Sequence, residues 1–129
     1  MTTSPESTSS LASPSPTVAT IIYSNTAKFP LGQIVATPGA VELLQETGFS
    51  AAALVSRHVH GDWGDLCDED RSENDFAVTR RLRILSCYRL VDAERLAATP
   101  REKRSSLPGL WIITEADRSV TTLLRPDEY

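Results

Sequence analysis

Leu82-Arg83-Ile84-Leu85-Ser86-Cys87-Tyr88-Arg89-Leu90 decides how the chain is read, because its pattern repeats every two residues. Leu82, Ile84, Ser86, Tyr88 and Leu90 fall on one side and Arg83, Leu85, Cys87 and Arg89 on the other, the alternation of a half-buried strand. Upstream of Leu82 the signals are helical. Thr37-Pro38 offers an N-cap followed by proline at the first helical position, and Gly48 is a stop, so a helix is predicted over 38–47 with Val41, Leu43 and Leu44 inward. Ser50 caps a second helix that runs to about His60 and leaves through Gly61. Ala51, Leu54, Val55 and His58 follow the i, i+3, i+4, i+7 pattern, which puts His58 on the apolar stripe and turns His60 away. A third helix is predicted over 68–80. Before the helices, 29–36 reads as a strand entered at an edge through Pro30, and Thr20-Ile21-Ile22-Tyr23 as a shorter one.

Downstream, residues 92–109 carry many charges with Pro100, Pro108 and Gly109, and read as a long loop with one helical turn near 93–97. Two strands, 110–115 and 120–125, flank Ala116-Asp117-Arg118-Ser119, a spacing that suits a four-residue hairpin loop. The order predicts an α+β domain: an antiparallel sheet of three to four strands packed on two to three helices.

The 129 residues are 40% hydrophobic and suffice for one domain. Fourteen of the first 20 are Ser, Thr or Pro, with Glu6 the one charge among them, so 1–20 is expected to be a disordered tail and 21–129 the domain. No run approaches the roughly 18 apolar residues of a membrane span, and no signal-peptide pattern opens the chain; a cytoplasmic protein is expected. Two cysteines, Cys67 and Cys87, are too few for a disulfide framework or a four-thiolate zinc site. No metal site and no cofactor is expected, since glycine-rich phosphate loops, GxSxG, HExxH and zinc-finger spacings are all missing. The net charge of -4 argues against general polyanion binding.

Two segments concentrate chemistry. Arg57-His58-Val59-His60-Gly61-Asp62-Trp63-Gly64-Asp65 holds both histidines, with carboxylates to orient an imidazole and an aromatic face. A bland alternative makes His58 a satisfied core-edge histidine and Trp63 a cover for the end of the sheet. The hairpin adds Asp117, Arg118 and Thr121, a corner able to hold an anion, against ordinary turn chemistry for Asp117 and Ser119. If helix and hairpin pack together, His58, Asp62 and Trp63 share a cleft with Asp117, Arg118 and Thr121. Charge is also segregated. Residues 62–75 hold seven acids and one base, whereas 80–104 hold eight bases and three acids, among them the candidate nucleic-acid contacts Arg80, Arg81 and Arg83.

Residues 29–39 (FPLGQIVATPG), 57–66 (RHVHGDWGDL) and 111–124 (WIITEADRSVTTLL), with Asp127-Glu128-Tyr129 at the end, resemble a family of small bacterial proteins carried by plasmids and other mobile elements, usually labelled plasmid-related. The resemblance covers nearly all of 29–129. The Ser/Thr/Pro tail and the basic segment near 92–106 depart from it. It implies a bacterial cytosolic protein in a mobile-element context and supplies no reaction. Two functional readings follow. In the first, the protein has a nucleic-acid-linked role, as a metal-independent ribonuclease-like domain acting on RNA or DNA, with His58 as general acid or base, Arg118 stabilising phosphoryl charge, and Asp62 and Thr121 beside them. In the second, it is a non-catalytic module whose acidic face blocks a host nuclease or regulator.

Overall fold

A computed structural model describes residues 26–129, so the strand expected at Thr20-Ile21-Ile22-Tyr23 and the tail lie outside the described residues. Strand β1, Gln33–Ala36, leads through the Thr37 N-cap into helix α1, Pro38–Thr47. The Thr37 hydroxyl accepts from the Ala40 amide at 3.1 Å, as the sequence pattern predicts. Ser50 caps α2, Ala51–Val59, in the same way through the Ala53 amide. Helix α3, Asp68–Arg80, begins with three acids in its first turn, which suits the positive end of the helix dipole. Strand β2, Ile84–Arg89, follows. The charged segment is more ordered than expected: helix α4, Ala93–Ala98, capped by Asp92, and a 3-10 helix, Arg101–Ser106, precede strand β3, Gly109–Thr114. Strand β4, Val120–Leu124, and a 3-10 turn, Pro126–Glu128, complete the chain.

The four strands form one sheet in the order β1-β4-β3-β2. β2 pairs antiparallel with β3 and β3 with β4, but β1 runs parallel to β4, in the register Ile34 to Thr121 and Ala36 to Leu123. The sheet is therefore mixed, which corrects the expectation of an antiparallel one. The cause lies in the connection: three helices intervene between β1 and the rest of the sheet, so β1 returns to an edge by a crossover and no hairpin fixes its direction. Periodicity reports which face a residue occupies and is silent on strand direction.

The inner face carries Ile84 and Tyr88 of β2, Leu110 and Ile112 of β3 and Leu123 of β4. These pack against Ala40 and Leu43 of α1, Leu54, Val55 and Val59 of α2, and Ala77 of α3, with Phe29, Leu31 and Trp63 from the intervening segments. Removing such side chains from water is the main driving force for folding. Of these three helices α3 contributes least, since Ala77 is its one buried apolar residue, beside the polar Asn74. It is tethered by polar groups instead: the Asn74 amide donates to the Leu85 carbonyl at 2.7 Å and its oxygen accepts from the Leu85 amide at 3.2 Å. Asn74 thereby closes part of the outer edge of β2 that would otherwise be open to another strand.

Candidate functional site

The segment Gly61-Asp62-Trp63-Gly64-Asp65 crosses the remaining edge of β2. The Cys87 amide donates to the Trp63 carbonyl at 3.2 Å, and the Asp65 amide to the Cys87 carbonyl at 2.7 Å, so the loop adds a short parallel bridge at Gly64. Gly64 has φ +80, and a Cβ there would stand 2.1 Å from the Cys87 carbonyl oxygen, so both conformation and space require glycine. Trp63 is 1% exposed; its indole N–H donates to Asp75 at 2.9 Å, while its ring stacks on Phe29. This indole is a core side chain, and it ties the loop to α3.

His58 lies beneath the loop with no exposed surface. Its Nδ1 is 2.6 Å from the Ser86 hydroxyl and its Nε2 is 2.9 Å from the Thr114 hydroxyl. Thr114 is in turn 2.7 Å from the Thr121 hydroxyl, which donates to the Leu31 carbonyl at 2.7 Å. That carbonyl can only accept, and this fixes every proton in the series. Thr121 spends its hydrogen on Leu31, so Thr114 donates to Thr121, Nε2–H donates to Thr114, and Nδ1 accepts from Ser86. The imidazole is neutral and in the Nε2–H tautomer. Burial, with the nearby Arg118 charge acting in the same direction, brings its pKa down to about 3. Four hydrogen bonds thus connect α2, all three C-terminal strands and the segment before β1.

Arg118 occupies the tight turn between β3 and β4 with φ 61 and is 5% exposed. Among the described residues its guanidinium makes hydrogen bonds to backbone carbonyls alone: Leu82 at 2.7 Å, Ala77 at 2.9 Å, Glu115 at 3.2 Å and Ala116 at 3.4 Å. Ala77 and Leu82 bracket the C-terminus of α3, whose carbonyl end favours a cation. Arg118 also lies over the Phe29 ring, 5.6 Å from its centroid, and His58 meets the same ring edge-on at 5.2 Å. Helix and hairpin therefore do bring His58, Trp63, Thr121 and Arg118 together. They meet in packed interior, with Phe29 filling the space where a cleft was expected.

Asp62 and Asp117 do not join them. Asp62 pairs with Arg57 at 2.8 Å on the surface; burial pushes its carboxyl up, but the Arg57 hydrogen bond and charge outweigh this and hold it below the usual range. Asp117 accepts from the Ser119 hydroxyl and amide, the turn chemistry of the bland alternative, and these bonds lower its pKa. The basic candidates are engaged separately: Arg80 stacks on Phe76, Arg81 adopts a left-handed conformation at the end of α3, and Arg83 is bound to Glu115 and to the Tyr129 hydroxyl.

Two features were missed at the level of sequence, besides the three arginines that gather at Asp65. Ser86 and Thr114 complete the His58 relay, and Ser86 had a signal, being a polar residue on the core-facing side of the β2 alternation. The second is an open groove of about 820 Å³ along α3, lined by Leu66, Glu69, Asp70, Glu73, Phe76, Leu82 and Leu85 among others. At its rim Phe76 is 50% and Leu82 47% exposed. Among the described residues no group of three or more His, Cys, Asp or Glu side chains is placed to hold a metal, and no helix is long and apolar enough to cross a membrane. In comparisons with protein-family models, curated proteins and solved structures, the chain matches none of them.

Proposed function

We propose that the protein is a non-catalytic binding module, and that the face of α3 is its contact with a basic protein partner, a nuclease or a regulator in the mobile-element setting that the resemblance implies. The observation that carries this reading is the groove, where exposed Phe76 and Leu82 stand beside Glu69, Asp70 and Glu73. Apolar side chains within a charged rim are the usual anatomy of a protein interface. Helix α3 buries so little of itself that turning Phe76 inward would help hold it to the sheet, yet Phe76 faces out. The acids would steer a cationic partner and the two apolar side chains would anchor it.

The environment of His58 supports the non-catalytic side of the choice. A general acid or base must reach substrate and change protonation near the working pH, and this imidazole is enclosed, neutral and engaged at both nitrogens. Arg118 likewise is 5% exposed and has its bonds directed to carbonyls, with no carboxylate paired to it among the described residues.

The test is affinity capture with three baits: wild type, the pair Glu69→Lys and Glu73→Lys, and Phe76→Ser. The expected result is a protein retained in stoichiometric amount by the wild type and lost from both variants, with unchanged melting temperatures. Retention indifferent to both changes, or hydrolysis of an RNA pool by the wild-type protein that disappears in His58→Gln, would overturn the reading.

A further inference from the structure

On the outer side of the loop that crosses β2, one carboxylate collects three guanidiniums. Asp65, whose side chain is 8% exposed, receives Arg104 at 2.9 Å, Arg89 at 3.2 Å and Arg101 at 3.4 Å. Among the described residues these three arginines have no other carboxylate within ion-pair distance, so the cluster holds two positive charges in excess. A chain of net charge -4 has here gathered like charges at close range, against their mutual repulsion. Burial pushes the Asp65 carboxyl up, but the Arg104 and Arg89 hydrogen bonds hold it below the ordinary range, so the carboxylate stays ionised and the excess is two at neutral pH.

We propose that Arg89, Arg101 and Arg104 form a binding site for a dianionic phosphate, either free phosphate or a terminal phosphomonoester. The donors match this ligand. Arg104 uses Nε on the Thr99 carbonyl and one terminal nitrogen on Asp65, Arg89 uses Nε on Asp65 and one terminal nitrogen on the Leu107 carbonyl, and Arg101 makes one bond, to Asp65. Among the described residues the remaining N–H groups have no acceptor, and guanidinium forks match phosphate oxygens in geometry as well as charge. Asp65 and the carbonyls hold the arginines in place before a ligand arrives, which lowers the ordering cost of binding. Arg101, with its side chain 53% exposed, is the open side through which the anion enters. An excess of two charges selects a dianion over the singly charged diester of a nucleic-acid backbone. The site is independent of the α3 groove, and its failure would leave that reading untouched.

The test is a calorimetric titration of the full chain at pH 7.5 and fixed ionic strength with inorganic phosphate, then with short oligothymidylates ending in a 5′-phosphate or a 5′-hydroxyl. Saturable one-to-one binding of phosphate is expected. It should weaken about fivefold or more in Arg101→Ala, the loss of one charge-assisted hydrogen bond at a solvent-open position. Among the described residues the Arg101 side chain makes one hydrogen bond, to Asp65, and it is half exposed, so this variant should keep its melting temperature; Arg104→Lys, which keeps the charge and loses the fork, is a second variant expected to weaken binding. Tighter binding of the 5′-phosphorylated strand than of free phosphate assigns the ligand to nucleic-acid ends, and equal binding assigns it to free phosphate. Absence of saturable binding, identical affinity in both variants, or equal binding of the 5′-hydroxyl strand would overturn the proposal.

Discussion

Lowering the pH tests the His58 relay directly. Free imidazole takes up its proton near pH 6.5, while His58 in the folded protein takes it up at about 3. Between those values the unfolded chain binds a proton that the native state refuses. Stability that is fully present above pH 6.5 is therefore lost as pH falls, at about 1.4 kcal/mol per pH unit. From pH 8 to pH 5 the loss comes to about 2 kcal/mol, and it reaches about 4–5 kcal/mol by pH 3. The upper part of this window belongs to the imidazole. Asp62, Asp65 and Glu128 are also held below their ordinary values, but their unfolded counterparts titrate at about 4, so they add acid lability only below about pH 5. Urea unfolding followed by far-UV circular dichroism at pH 8, 7, 6 and 5 gives the slope. His58→Gln keeps one donor and one acceptor but does not titrate, and should lose stability at pH 8 while removing most of the dependence down to pH 5. A flat wild-type profile, or a His58 ring-proton signal that titrates near neutral pH in the folded state, would refute the proton assignment and restore this histidine as a proton-transfer group.

Arg118→Ala should cost about 2–4 kcal/mol in denaturant unfolding, because it strips the cation from two carbonyls around the end of α3 and two in the β3–β4 turn; a change below about 0.5 kcal/mol would contradict that role. Two glycines of similar backbone angle should separate: Gly64→Ala meets the Cys87 carbonyl and should cost about 3 kcal/mol or more, whereas Gly48→Ala, with open space around it at φ +76, should cost only about 1 kcal/mol. Asp65→Ala should release the segment around Arg101–Ser106, read as faster tryptic cleavage after Arg101, Lys103 and Arg104, with the β2–β3 amides still protected from exchange.

Helices α1, α2 and α3 were legible because their limits are set locally: Thr37 and Ser50 at N-caps, Gly48 at a stop, and acids at the start of α3. Strand β2 was legible because one face is buried, and the β3–β4 hairpin because its loop is short. The parallel pairing of β1 with β4 was not, since it depends on a crossover spanning most of the chain. The same limit applies to the chemistry. That His58 would lie near Arg118 and Thr121 followed from packing a helix on a hairpin, but whether the three would surround solvent or Phe29 depended on the path of residues 27–31 across the sheet. The Asp65 cluster was harder still, because Arg89, Arg101 and Arg104 reach one carboxylate from a strand and a 3-10 helix that are separate in sequence.

An imidazole, three hydroxyls and a guanidinium within one region have the composition of a catalytic site, and two physical questions separate that case from a structural one. The first is where each proton goes. The His58 series ends on the Leu31 carbonyl with every hydroxyl hydrogen and Nε2–H committed inside the protein, so none of these protons is held for transfer to a substrate. The second is how substrate would enter, and the side chains that close the region, Phe29, Trp63 and Leu31, are themselves buried. A polar network satisfied in this way specifies one arrangement of the core, because any slip of β3 against β4 or rotation of α2 leaves a buried group unpaired. With the interior so occupied, the two proposed sites lie on the outside: the acids, Phe76 and Leu82 along α3, and the arginines around Asp65.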